Sequence, residues 1–130
     1  MEFVLKTILN APAKEIYIAW LSSEGHSNMT GGEATASDKV GAAFTAWDGY
    51  IHGTNLVLEK DARIAQSWRT SQFLENENDS QIEILLKETD GVTELTLIHT
   101  GLPESGEHYR NGWDVHYFQP MKEYFERNIH

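Results

Sequence analysis

The chain has 130 residues, with ten Lys and Arg against twenty Asp and Glu, and no cysteine. A net charge of −10 repels phosphate backbones and anionic lipid, which argues against nucleic-acid and membrane partners. The missing thiols exclude disulfides, zinc–thiolate centres, iron–sulfur clusters and cysteine nucleophiles.

At 40% hydrophobic and 23% charged residues, the composition is that of a globular chain with enough apolar side chains for a core. No run approaches the ~18 apolar residues of a membrane span. The start, MEFVLKTILNAPAKE, lacks the basic and long apolar regions of a signal peptide, so the expected location is the cytoplasm. No repeat, low-complexity segment or linker interrupts the chain, and residues 1–130 read as one domain.

Residues 2–10 alternate, with Phe3, Leu5 and, less cleanly, Ile8 on one face, and predict a strand. APAKEIYIAWLS follows, with Pro12 suited to a first helical turn and Ile16 and Trp20 at i, i+4 spacing; this predicts a short amphipathic helix. SSEGHSNMTGG (22–32) is rich in Ser, Gly and Asn and reads as an irregular connection with room for one helical turn. The glycine-rich stretch 30–44 lacks the Gly-Lys-Ser/Thr ending of a phosphate loop and reads as a connection into a sheet.

From residue 42 to 100 the pattern is β. AAFTAW (42–47) meets YIHGTNLVLE (50–59) across Asp48-Gly49, a two-residue hairpin signal. RIAQSWRTSQF (63–73) sets Ile64, Gln66 and Trp68 on one face. LENEND (74–79) reads as a solvated acidic loop. SQIEILLKE (80–88) and VTELTLIHT (92–100) join at Asp90-Gly91, and Leu95, Leu97 and His99 share a face. One apolar and one polar face imply an antiparallel sheet covered on one side. The cover is a C-terminal helix from about Ser105 to Asn128, with Trp113, Tyr117, Met121 and Phe125 every four residues. Pro120 inside it costs a hydrogen bond and predicts a bend. Segregated strands and helices imply an α+β fold.

GTNLVLEKDARIAQSWR (53–69), then LTLIHTGLP and GWDVHYFQPMKEYF (112–125), resembles the C-terminal domain of the activators of heat-shock protein 90 ATPase. These belong to the START-like, or polyketide-cyclase-like (SRPBCC), superfamily. The match runs in order over nearly the whole chain. It includes the Ala-Pro helix start, Gly41–Phe44 with Asp48-Gly49, and the Ser67-Trp68-Arg69 triplet. The resemblance implies a helix-grip fold of six or seven antiparallel strands wrapped on the long helix, and often a cavity between them for an apolar or amphipathic small molecule. It also implies a chaperone ATPase as a partner and a stress-response role. The eukaryotic activators carry a second, N-terminal domain with no counterpart in these 130 residues.

Residues set to line such a cavity are Trp20, Met29, Phe44, Leu56, Gln66, Trp68, Leu97, His99, Trp113, Tyr117 and Met121, with Met29 as a lid contact. Gln66 and His99 stand out as polar groups on inward-reading faces. A buried polar group needs a partner or costs about 1–3 kcal/mol, so backbone, the Tyr117 hydroxyl or a buried water is expected to bond them. A catalytic His99 would need a partner group in reach. Glu104, Ser105, Glu107, Tyr109 and Asp114 are the candidates, but no nucleophile elbow or diagnostic carboxylate pair accompanies them. The six histidines show no metal-ligand spacing and read mostly as surface residues, and no cofactor is implied. The favoured function is a non-catalytic binding module for a small apolar or amphipathic molecule. The alternatives are a co-chaperone-like interaction domain and a cyclase- or hydrolase-like enzyme using the same cavity.

Overall fold

A computed structural model describes residues 1–127. The order of elements is β1 (Phe3–Leu9), α1 (Ala13–Trp20), α2 (Ser23–Thr30), β2 (Ala43–Ala46), β3 (Ile51–Glu59), β4 (Arg63–Thr70), β5 (Ser80–Thr89) and β6 (Val92–Thr100), followed by the C-terminal helical segment. The strands form one antiparallel sheet of six in the order β1-β6-β5-β4-β3-β2. This is the helix-grip fold: a curved sheet, two short helices after the first strand, and a helix that closes the concave face.

Strand register explains the interior. Asn55, Gln66, Ile82, His99 and Phe3 are successive cross-strand partners in one row across β3, β4, β5, β6 and β1. Alternation points the whole row inward, and all five residues are buried. In β3 the parity puts Leu56 on the other face, where it is 41% exposed. Ile8 also faces out, and Thr7 and Leu9 take the inward positions. Gly53 lets β3 lie close on β4, since a Cβ there would sit 1.9 Å from the Ser67 carbonyl oxygen.

Residues 23–30 form a full helix rather than a single turn. The Ser22 side chain caps it by accepting from the Gly25 N–H at 3.1 Å. Gly31, at φ 89°, ends it in the left-handed conformation that glycine adopts without steric cost. His26, Met29 and Thr30 are its buried face. Met29 is a core residue, not a lid.

Asp90-Gly91 makes the expected two-residue hairpin, with Thr89 paired to Val92. The Asp48-Gly49 turn is longer. Pairing ends at Ala46↔Ile51, so Trp47 and Tyr50 join the turn. Trp47, Asp48 and Gly49 all have positive φ.

The C-terminal segment is not one regular helix. A 3₁₀ turn (Glu104–Glu107) leads into α3 (His108–Trp113), a π-helical turn (Asp114–Phe118) and α4 (Gln119–Arg127). The π turn answers Pro120. Proline has no N–H to give the carbonyl four residues back and its ring crowds that group. Here the Gln119 N–H reaches instead to Asp114, five residues back, widening the helix as π-bulges do. Asn128, the expected helix end, lies outside the described residues. No described helix is long and apolar enough to cross a membrane.

Candidate functional site

Among the described residues, three side-chain networks link helix to sheet or helix to helix in the interior. His99 is fully buried. The Trp113 Nε1–H donates to its Nδ1 at 3.0 Å. Because an indole can only donate, Nδ1 carries no proton and Nε2 does. Nε2 then donates to Ser80 Oγ at 2.9 Å, and the Ser80 hydroxyl donates to the Trp68 carbonyl at 2.7 Å. Burial, assisted by the charged N-terminus of Met1, lowers the His99 pKa to about 3. The ring is therefore neutral with both nitrogens engaged. None of the loop acids or hydroxyls proposed as its partners is bonded to it.

His26 repeats the arrangement on α2. Its Nδ1 lies 2.9 Å from the Trp20 carbonyl, an acceptor, so Nδ1 bears the proton. Nε2 accepts from the Tyr117 hydroxyl at 2.9 Å. Burial lowers the His26 pKa and raises that of Tyr117. His26 thus departs from the expectation that the histidines are mostly surface groups, whereas His99 is buried as its strand face implied. In the third network, Trp20 Nε1 donates to Gln66 Oε1 at 3.1 Å and Gln66 Nε2 donates to Asn55 Oδ1 at 2.8 Å. The Asn55 amide donates to the Ser37 and Lys39 carbonyls. That chain ties the irregular stretch before β2 onto the sheet.

The concave face opens to solvent at one end, as a groove of about 490 Å³. The β2–β3 turn supplies Trp47 and Tyr50, with Ile51 beside them; β4 supplies Trp68 at the back. Helix α3 supplies His108, Tyr109, Asn111, Gly112 and Trp113, and the π turn adds His116 and Tyr117. Trp113 and Tyr117 belong to both the groove and the networks behind it. Their polar atoms point inward to His99 and His26 and their rings form the wall. Tyr109 does the same through Thr70, at 2.5 Å, and burial raises its pKa to about 12. Trp68 contacts Tyr109 and Trp113 with ring centroids 5.0 and 5.7 Å apart.

Of the eleven residues picked from sequence, the groove brings together Trp68, Trp113 and Tyr117. Trp20, Met29, Phe44, Gln66, Leu97, His99 and Met121 are buried core, and Leu56 faces out. Sequence reading missed Trp47, Tyr50, His108, Tyr109, Asn111 and His116. The available signal was the clustering of aromatic and imidazole residues on both sides of the turn at 47–50 and at the start of the last helix.

Comparison with known proteins agrees with the fold and names a family. An HSP90 activator from Plasmodium falciparum superposes with a TM-score of 0.85 at 20% identity, covering 95% of this chain and 94% of that one. The Aha1 dimer from Colwellia psychrerythraea gives 0.81 at 13% identity, with 99% of each chain covered. CalU16 from Micromonospora echinospora gives 0.79 at 21% identity, covering 98% of this chain and 67% of that one. A curated relative, an uncharacterized protein of Schizosaccharomyces pombe, is 27% identical over 117 residues, which are 89% of this chain. The chain spans about a third (34%) of that relative's length. The model of the family described as activator of Hsp90 ATPase homolog 1-like protein matches residues 10–126, and the chain belongs to that family.

Proposed function

We propose that this protein is a non-catalytic binding module that holds a small apolar or amphipathic molecule in the groove between β2–β3, β4 and the C-terminal helix. The observation that carries this reading is a wall of aromatic rings around about 490 Å³, a size and lining typical of small-molecule sites. The buried histidines support a binding rather than a catalytic use. Each has both nitrogens committed to structural hydrogen bonds, which leaves neither free to take a substrate proton.

A thermal-shift screen with hydrophobic compounds tests the reading, paired with native mass spectrometry of the purified protein. A ligand at a hundred times its Kd stabilises by about 2.7 kcal/mol, which raises Tm by roughly 10 °C in a domain of this size. A hit that Trp113→Ala or His116→Trp weakens is the expected result. A screen without a saturable hit, on protein that carries no bound molecule, contradicts it.

The family match favours a second reading, a co-chaperone-like interaction domain. It predicts that the protein changes the turnover of a heat-shock protein 90-type ATPase through an exposed surface, so that groove variants retain the effect. Unchanged turnover at saturating concentrations rules it out.

A further inference from the structure

Among the described residues, the groove lining contains no carboxylate, lysine or arginine, in a chain with twenty acidic residues. Its aromatic polar atoms are not equivalent. Those of Trp113, Tyr117 and Tyr109 are bonded behind the wall, so these residues offer the groove only ring surface. Trp47 differs in three ways. Its backbone is left-handed, at φ 51°, a conformation rare for a bulky side chain and one that concentrates at ligand clamps. Its ring packs edge-on to His116, with centroids 5.5 Å apart. Gly32 packs on the indole so closely that a Cβ would lie 2.4 Å from Cε3. Finally, its Nε1–H is buried without a hydrogen-bond partner among the described residues, a condition native proteins rarely tolerate without a reason.

We infer that the groove takes a flat aromatic molecule carrying a carbonyl-type acceptor, and that Trp47 selects it by donating its indole N–H. An aromatic cage alone would suit an organic cation; a buried, unpaired donor selects an acceptor instead. The indole nitrogen is shielded from water, so the bond forms as the ring tips toward the entering ligand. The flat rings of Trp68 and Trp113, 5.7 Å apart and tilted by 36°, give the ligand's own ring a surface to stack on. This inference rests on the groove being a ligand site and adds what the ligand must carry.

A matched pair of probes tests it: 2-acetylnaphthalene, which has the acceptor, and 2-isopropenylnaphthalene, which has nearly the same shape without it. Affinities are measured for the wild type and for Trp47→Phe, which keeps a ring and removes the N–H. The expected result is that the acetyl-over-isopropenyl affinity ratio falls roughly three- to tenfold in Trp47→Phe, the share of one net hydrogen bond. In wild-type protein the Trp47 indole proton resonance should move downfield with the acetyl probe and not with the other, a readout independent of how the variant folds. If both probes bind and the ratio is unchanged, with the indole signal unmoved, Trp47 is not the selector and the groove reading stands. If neither probe binds the groove, this inference is overturned, and the wider compound screen decides the groove reading on its own.

Discussion

Replacing His99 by alanine is expected to cost about 3–5 kcal/mol of folding free energy, independently of any ligand. The imidazole is the only link between Trp113 on α3 and Ser80 on β5 in the described network. Its removal leaves the Trp113 N–H without its partner in a buried site, which costs about 1–3 kcal/mol. It also leaves a void among Phe3, Trp68 and Trp113, whose rings lie 5.4, 4.6 and 5.9 Å from the imidazole centroid, and such cavities add a further penalty. Ser80 keeps its bond to the Trp68 carbonyl and loses only the incoming donor. Urea unfolding of wild type, His99→Ala, Trp113→Phe and the double variant gives the numbers. The cycle should show a coupling of about 1–2 kcal/mol between the two residues. A total loss under 1 kcal/mol would mean that the ring is not bonded as described.

Stability should fall steeply in mild acid, and the same histidine should dominate the effect. In the unfolded chain His99 takes up a proton near the ordinary value of about 6.5; in the folded protein it does so only at about 3. Between those pH values the unfolded state binds more protons, so stability decreases as pH falls. One such group removes about 1.4 kcal/mol per pH unit. The contribution is fully present above about pH 6.5 and is exhausted near pH 3. His26, whose folded pKa is also lowered by burial, acts in the same direction. Measured from pH 8 to 4, unfolding free energy should be level above about pH 7 and then fall by several kcal/mol. In His99→Gln the slope below pH 6 should be reduced by about 1.4 kcal/mol per unit. A profile flat from pH 8 to 5 would show that the buried rings are not held neutral.

The fold was legible where side-chain period decided it. Leu95, Leu97 and His99 on β6, and Ile64, Gln66 and Trp68 on β4, face inward as their alternation requires. The repeat of Trp113, Tyr117, Met121 and Phe125 marks the buried face of the last helix. α2 was hidden because its Ser-, Gly- and Asn-rich sequence has poor intrinsic helix propensity, and tertiary burial of His26 and Met29 makes up for it. The π turn could not be anticipated beyond a disturbance at Pro120. The site was the least legible part. Alternation tells which residues face in, not which of them meet an opening. Leu97 and Met121 read as cavity wall as well as Trp113 does, yet they sit behind it. Trp47 was invisible as a site residue because Asp48-Gly49 suggests a tight hairpin, and only the longer left-handed turn brings the indole to the groove.

The central claim is that ligands enter the aromatic groove and the buried networks are structural. Amide and indole chemical-shift mapping during titration with 2-acetylnaphthalene tests it most directly. Shifts concentrated at Trp47, Tyr50, His108, Asn111, Gly112 and His116, saturating with ligand, are the predicted result. Saturating shifts centred on Leu56 and the outer sheet face, or on Gln66 and Trp20 with the groove unmoved, would contradict it.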